Sequence, residues 1–162
     1  MFNFSPIKEI ASIRGDSDSV KKGSELQVMV ICSLKGSDLP SSGNVSVNVL
    51  VSSDGAEFVQ IGYGFEKGGY FYVDHGKCCP SDKSEIFQYV SWDSKEVAKE
   101  GVLNFNILLD RSVIESFLNE QKVITSMVNP ANTTAPEDRT IEMVNNLNQY
   151  FTCNMQSWQL SL

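Results

Sequence analysis

The chain has 162 residues and a formal net charge of −7, and 41% of its residues are hydrophobic. This length fits one folded domain, and the composition is typical of a globular protein rather than a disordered one. The scattered basic residues argue against nucleic-acid binding, and no apolar run approaches the ~18 residues of a membrane span. The opening MFNFSPIKEI lacks the basic and apolar regions of a signal peptide. Either a cytosolic protein or a piece of a longer chain is therefore expected.

Alternation of apolar and polar residues, the pattern of a β-strand, begins at SELQVMVICSL. One face of this strand carries Leu26, Val28, Val30, Cys32 and Leu34. The other face carries Met29 and Ile31, which predicts a strand buried on both sides. The segment NVSVNVLV alternates in the same way, and Asp54-Gly55 predicts a hairpin turn after it, because glycine accepts a positive φ.

Further strand and turn patterns follow in chain order. EKGG precedes the strand-like YFYVD, and EIFQYVSW comes next. SKEVAKEG is typical of a short helical turn that Gly101 would end. The next strand pattern, LNFNILLD, is followed towards the end of the chain by TIEMV and YFTCNMQSWQLSL. Short strands at roughly 8–12-residue spacing predict an all-β fold, an antiparallel two-sheet β-sandwich, with residues 1–162 as a single domain.

The strand LNFNILLD leads into a short polar segment, with Asp110, Arg111 and Ser112 followed by Glu115. A retaining glycosidase needs two carboxyl groups about 5–5.5 Å apart, and an inverting one about 6.5–9.5 Å. Asp110 and Glu115 would point to opposite faces of one continuous strand. The alternative is a hairpin in which Asp110 accepts hydrogen bonds from turn amides. Glu115 would then lie in the return strand, on the same face as Phe117. The hairpin interpretation is favoured.

If the face that carries Glu115 is buried, its carboxylate needs a cationic partner, because an unpaired buried charge is costly. Arg111 is the nearest candidate in the sequence. A salt bridge between Arg111 and Glu115, at least partly shielded from water, is therefore predicted.

Histidine and cysteine side chains are candidates for a metal site or a nucleophile. His75 precedes Cys78 and Cys79, but no second pair of ligands completes a zinc site, so His75 is predicted at a hairpin end. Cys32, Cys78, Cys79 and Cys153 allow at most two disulfides, and one disulfide with the other thiols buried is an equal alternative.

Two further groups of residues concern sugars and compartment. Trp92 and Trp158 could stack on a sugar, although an all-β core usually buries its tryptophans. Asn3, Asn44 and Asn132 each begin an Asn-X-Ser/Thr triplet and are candidate N-glycosylation sites. With the cysteines, these triplets favour a secreted protein or one of the vacuolar lumen.

The stretch LNFNILLDRSVIESFLNEQKVITSMV resembles the C-terminal β-sandwich of glycoside hydrolase family 32, the invertases, inulinases and fructan hydrolases. The family pattern there is L-x-V-L-V-D, then R/H-S-x-V-E-x-F, a turn, and T-S on the return strand. The residues that fall on this pattern are Leu109, Asp110, Arg111, Ser112, Ile114, Glu115, Phe117, Thr125 and Ser126. IGYGFEKGGYFYVDHGK and MQSWQL resemble neighbouring parts of the module, with Gly64 where Asp is common and His75 where Arg is common. The resemblance covers roughly residues 25–162.

The resemblance implies a non-catalytic module, because the family's catalytic residues lie in a separate five-bladed propeller. The propeller motifs W-M-N-D-P-N-G, R-D-P and E-C do not occur in this sequence. No catalytic residue, cofactor or metal is therefore expected here. The expected partners are a catalytic propeller or a second copy of the chain. The alternatives are a free-standing lectin-like domain that binds fructan or another glycan, and a domain that binds another protein.

Overall fold

The computed structural model of the chain describes residues 2–4, 9–12, 25–34, 39–78, 86–130, 135, 138–147 and 151–159. In chain order the strands are β1 (Phe2–Phe4), β2 (Glu9–Ser12), β3 (Glu25–Ser33), β4 (Asn44–Val51), β5 (Val59–Gly64), β6 (Tyr70–Asp74), β7 (Phe87–Ser91), β8 (Val102–Asp110), β9 (Val113–Leu118), β10 (Lys122–Met127), β11 (Thr140–Asn145) and β12 (Phe151–Gln159). A short 3-10 helix spans Glu66–Gly68, and the helix α1 spans Ser94–Glu100. None of the helices in these ranges is long and apolar enough to cross a membrane.

The strands form two six-stranded sheets, and all strand pairs within each sheet are antiparallel. The first sheet has the strand order β1-β12-β3-β8-β9-β10, and the second has the order β2-β11-β4-β5-β6-β7. The predicted antiparallel β-sandwich is thus confirmed. The strands β1 and β2, which the sequence pattern did not reveal, pair with β12 and β11.

The core lies between the sheets and is built from the alternating residues that the sequence pattern selects. β3 contributes Leu26, Val28, Val30 and Cys32, and its neighbour β8 contributes Leu103, Phe105, Ile107 and Leu109, all of them buried. The opposite face of β3 differs from the prediction of burial on both sides. Met29 is only half-buried and Ile31 is 38% exposed, because the outer face of this sheet has no third layer among the described residues.

The predicted turns and the helix are confirmed. β4 and β5 form a hairpin, and Gly55 in the connection has a φ of 71°. EKGG forms the 3-10 helix and the glycine that follows it. The helix α1 begins after Asp93, whose carboxylate accepts a hydrogen bond from the Lys95 amide, and it ends at Gly101 in the left-handed conformation.

Gly69 has the least room for a side chain among the described glycines. Its φ is 106°, and a Cβ atom at this position would collide with the Tyr63 hydroxyl and the Trp92 carbonyl oxygen. Those two groups are hydrogen-bonded to each other at 2.7 Å. A side chain at this position would therefore break a buried hydrogen bond as well as strain the backbone.

We expect Gly69→Ala to lower the free energy of unfolding by about 2–3 kcal/mol, because left-handed strain and overpacking add. Gly68→Ala is the matched control, since Gly68 has a φ of 91° but a Cβ atom there would meet nothing within 4 Å. Only the backbone strain, about 1–2 kcal/mol, should remain there. Urea unfolding of both variants measures the difference, and equal losses would contradict the steric explanation.

Candidate functional site

The segment with Asp110, Arg111 and Ser112 forms the predicted hairpin. Asp110 is the last residue of β8 and pairs with Val113, the first residue of β9. The turn between them consists of Arg111 and Ser112, and Arg111 has a φ of 51°. These residues therefore connect two adjacent strands of the first sheet.

The salt bridge predicted between Arg111 and Glu115 was expected to be at least partly shielded from water, and this part of the prediction is wrong. Both side chains are exposed, and Phe117 on the same face is half-buried. The buried face of β9 is the other one, and it carries Ile114, Ser116 and Leu118. Ser116 is tolerated in the core because its hydroxyl donates a 2.9 Å hydrogen bond to the carbonyl oxygen of Ile124.

A buried ion pair occurs elsewhere, between Glu57 and Arg139. Arg139 Nη2 lies 2.9 Å from Glu57 Oε2, and both residues are buried. The two residues are 82 positions apart, so no local sequence pattern could have indicated the contact. Glu57 lies in the connection between β4 and β5, and Arg139 immediately precedes β11. The pair therefore joins this connection to the start of a neighbouring strand.

The same arginine supports an irregular backbone in β4. Arg139 Nη1 donates a 2.8 Å hydrogen bond to the carbonyl oxygen of Leu50, a buried residue with a φ of 56°. The pairing of β4 with β11 shifts register between Thr140 and Glu142, as at a β-bulge. A left-handed conformation at a leucine is strained, and the arginine contact helps to hold it. These contacts serve the fold and provide no reactive group.

Cys32 and Cys153 form a disulfide between β3 and β12. They stand opposite each other in the strand register, and both are buried. The structure thus selects one pairing from those that the sequence left open. Cys78 is buried, and Cys79 lies outside the described residues.

His75 directly follows β6, as predicted for a hairpin end, and it is buried. Its backbone takes part in the turn, because its amide donates to the Ile86 carbonyl oxygen and its own carbonyl oxygen accepts from the Cys78 amide. Within the described ranges, no group of three or more His, Cys, Asp or Glu side chains could hold a metal ion.

The three sequons differ in what the structure shows. Asn44 begins β4, and its side-chain amide donates to the Tyr72 hydroxyl while its side-chain carbonyl oxygen accepts from Asn146. A glycan on that amide nitrogen would compete with this bonding. The Asn3 side chain and the whole of Asn132 lie outside the part that the structure describes.

An open cleft of about 380 Å³ lies on the outer face of the second sheet, beside β6 and β7. We call it the aromatic cleft, and its main lining residues are Glu66, Lys67, Tyr70, Phe87, Tyr89 and Ser91. Tyr89 is 63% exposed and Phe87 is 46% exposed. The Tyr70 ring lies 6.2 Å from the Tyr89 ring and 6.3 Å from the Phe87 ring, measured between centroids. The sequence contained these rings, but only the strand register brings them together.

The two tryptophans are placed differently. Trp92 is buried in the core, as is usual in an all-β fold, and its indole N–H donates a 3.0 Å hydrogen bond to Glu96. Trp158 is exposed on the outer face of the first sheet. Neither tryptophan lines the aromatic cleft.

Two buried tyrosines have raised pKa values. Burial raises the pKa of Tyr63 well above its ordinary value, and the negative charge of Asp93 adds to the shift. Burial also raises the pKa of Tyr72, against the smaller opposing effect of the hydrogen bond from Asn44. In both cases the fold disfavours the tyrosinate form.

The sign of these pKa shifts predicts an alkaline loss of stability. Because each folded pKa lies above the unfolded value of about 10, the contribution to stability is constant below pH ~10 and decreases above it. We expect Tyr63→Phe and Tyr72→Phe each to flatten the decrease in unfolding temperature above that pH. Thermal unfolding across an alkaline pH series measures this, and an unchanged slope in both variants would contradict the assignment.

In a comparison with protein families, the chain matches the family described as Glycosyl hydrolases family 32 C terminal over residues 6–159. No curated protein sequence matches the chain. Among solved structures, a fructan 1-exohydrolase IIa from Cichorium intybus is similar, with a TM-score of 0.72 and 18% identity over 98% of this chain and 35% of that one. An exo-inulinase from Aspergillus awamori gives a TM-score of 0.66 and 16% identity over 99% of this chain and 28% of that one.

Because the sequence identities are low, these structural similarities show a shared fold and nothing more. A sucrose-6-phosphate hydrolase from Lactobacillus gasseri is also similar, with a TM-score of 0.60 and 13% identity. The match covers 99% of this chain and 28% of that protein. The chain therefore spans about a third or less of the length of each of these three proteins.

Proposed function

Because the chain belongs to the C-terminal domain family of the family 32 glycosyl hydrolases, we propose that it is a non-catalytic β-sandwich module of a β-fructofuranosidase-like protein. The family match over residues 6–159 carries this proposal. In this role the module packs against a catalytic propeller, on the same chain or on a separate fragment, and stabilises it. The similar solved structures are longer enzymes of which this chain covers only a part, which supports a partner domain.

The outer face of the first sheet is the surface best suited to that partner. Its exposed apolar side chains are Ile31, Val123, Met127 and Trp158, and Met127 is 69% exposed. Exposed apolar patches mark interfaces with other proteins. These side chains are mostly aliphatic and lie on an extended strand surface, which fits the burial of one domain face against another. The same face would serve a second copy of the chain, if the module forms a dimer.

A hydrolysis assay with sucrose and inulin tests the non-catalytic part of the proposal. The purified chain should release no fructose from either substrate above a blank. The control is a complete fructan hydrolase assayed in the same buffer, which shows that the assay detects turnover. Fructose release that follows the chain through successive purification steps would contradict the proposal.

The proposed partner is tested by sequencing the reading frame upstream of Met1 in the source genome. A propeller with the motif W-M-N-D-P-N-G is expected there or on a second gene. Expressed with this module, that propeller should unfold at a higher temperature than alone. Met127→Asp and Val123→Asp should reduce the gain, whereas Tyr89→Ala on the other sheet should not. If both aspartate variants instead abolish a dimer of the module alone, the face belongs to self-association.

We propose secretion or the vacuolar lumen as the compartment. The disulfide between Cys32 and Cys153 supports this, because structural disulfides persist in oxidising compartments. Labelling of free thiols in protein taken from the source organism, before and after reduction, tests the proposal. Cys32 and Cys153 should react only after reduction, and full reaction without reduction would contradict it.

A second candidate function is a free-standing domain that binds a glycan. The observation that favours it is the set of exposed rings in the aromatic cleft on one sheet face, since tyrosines combine an apolar ring with a polar tip. A glycan titration of the isolated chain distinguishes it, because the supporting role requires no sugar affinity.

A further inference from the structure

Two glycines of β5 make room for tyrosine rings in and beside the aromatic cleft. On β5, a Cβ atom at Gly64 would stand 2.5 Å from the Tyr70 ring, and one at Gly62 would stand 2.7 Å from the Tyr72 hydroxyl. These positions on β5 are cross-strand partners of Tyr70 and Tyr72 on β6. The two glycines therefore allow the tyrosine rings to lie over the neighbouring strand, close to its backbone.

Hydrogen bonding and stacking fix the ring next to the cleft. The Tyr72 hydroxyl accepts from the Asn44 side-chain amide and donates to Gln60 Oε1 at 3.0 Å. The Tyr72 ring stacks on Phe87, with centroids 5.3 Å apart and an interplanar angle of 21°. Phe87 therefore packs against a buried ring and remains 46% exposed. A rigid surface of this kind binds with little loss of conformational entropy.

The lining of the cleft combines apolar rings with polar groups at its rim. Tyr70, Phe87 and Tyr89 provide the rings, and Glu66, Lys67 and Ser91 provide hydrogen-bond donors and acceptors. The two charged residues have opposite signs and are adjacent in sequence, so the rim has no net charge. The volume of about 380 Å³ falls in the range of small-molecule sites, about 300–1,000 Å³.

This combination distinguishes the cleft from the outer face of the first sheet. A sugar ring presents a face of C–H groups and an edge of hydroxyl groups, so it matches a flat ring bordered by polar side chains. The opposite charges of Glu66 and Lys67 cancel, and this disfavours a strongly charged ligand. The exposed side chains of Met127 and Val123 on the first sheet lack such rings, so they suit an apolar protein surface better than a sugar.

From this geometry we infer that the aromatic cleft is a binding site for a neutral oligosaccharide, whose sugar ring stacks on Tyr89 and Phe87. Hydroxyl groups at the edge of that ring bond to Glu66, Lys67 and Ser91. This inference rests on the second candidate function, glycan binding, and assigns it to specific residues. The first candidate, support of a propeller, does not depend on it.

The test is calorimetric titration of the full chain with two probes, an inulin-type fructo-oligosaccharide and a malto-oligosaccharide. Binding of at least one probe at millimolar concentration or tighter is expected. Tyr89→Ala should weaken it tenfold or more, since it removes the most exposed ring, whereas Tyr89→Phe should keep most of the affinity. Trp158→Ala is the matched control, because it removes an exposed ring from the other sheet and should leave the affinity for both probes unchanged. Unfolding curves of all three variants should coincide with the parent.

Three results would overturn the inference. The first is the absence of binding of either probe at the highest soluble concentration. The second is binding that Trp158→Ala abolishes and Tyr89→Ala leaves unchanged. The third is a loss of propeller stabilisation, rather than of sugar binding, in Tyr89→Ala, which would make the aromatic cleft a protein interface. Propeller stabilisation is measured separately. The absence of sugar binding would therefore not contradict the proposal that the module supports a propeller.

Discussion

Replacing Cys32 and Cys153 together by alanine is expected to lower the free energy of unfolding by about 4–5 kcal/mol. The two cysteines are 121 residues apart, and the entropy that a cross-link removes from the unfolded chain grows with the length of the closed loop. Either single substitution should cost nearly as much as the double one, because both break the same bond. Urea unfolding followed by tryptophan fluorescence gives these values.

The control for this prediction is Cys78→Ala together with reductant. Cys78 is also buried, so its truncation reports the loss of a small core side chain without loss of the cross-link between β3 and β12. Reductant should shift the unfolding midpoint of the parent and of Cys78→Ala, and it should leave the double variant unchanged. A parent midpoint that does not respond to complete reduction would contradict the prediction.

The substitution Glu57→Ala is expected to lower the free energy of unfolding by about 3–5 kcal/mol. It removes the carboxylate that lies 2.9 Å from Arg139, and the arginine remains buried at 3% exposure near the strained Leu50. Loss of this charge-assisted hydrogen bond from a buried guanidinium accounts for most of the cost. Thermal and urea unfolding of the variant provide the measurement.

Glu115→Ala is the matched control, since the residue is the same but its side chain is exposed. It should change the free energy of unfolding by less than about 0.5 kcal/mol. The double variant Glu57→Ala with Arg139→Ala should recover part of the loss, because both charges are then absent. Equal effects of Glu57→Ala and Glu115→Ala would show that burial does not determine the cost.

Regular strands were the most predictable part of the fold. In β8 the residues Leu103, Phe105, Ile107 and Leu109 alternate with less buried residues, and the structure buries all four. Local periodicity is sufficient here because one face of the strand meets the opposing sheet. The turns at Gly55 and Gly101 were also predictable, because each requires a backbone conformation that glycine adopts readily.

The choice of buried face in β9 shows where periodicity fails. Val113 and Phe117 suggested that Glu115 shares a core face, but the buried face contains the polar Ser116 between Ile114 and Leu118. A serine that bonds to the backbone of β10 can replace an apolar residue in the core, and the sequence does not reveal that bond.

Apart from the cysteines that could pair, side-chain contacts between residues distant in sequence were not predictable from local patterns. Glu57 and Arg139 meet only because β4 and β11 are neighbours, which depends on the strand order of the whole sheet. The aromatic cleft has the same origin, since Tyr70 and Ser91 become cross-strand partners through the β6–β7 register. Such sites require the topology first, and the topology is not encoded in any single segment.

The strand order has a practical consequence for handling the isolated protein. β7 and β10 are each at the end of their sheet as the described strands are ordered, and they carry exposed side chains such as Tyr89 and Met127. Terminal strands with exposed apolar residues are templates for intermolecular strand pairing and aggregation. Solubility at high concentration should therefore improve when Met127 is replaced by lysine, because a charge on an edge strand discourages such pairing.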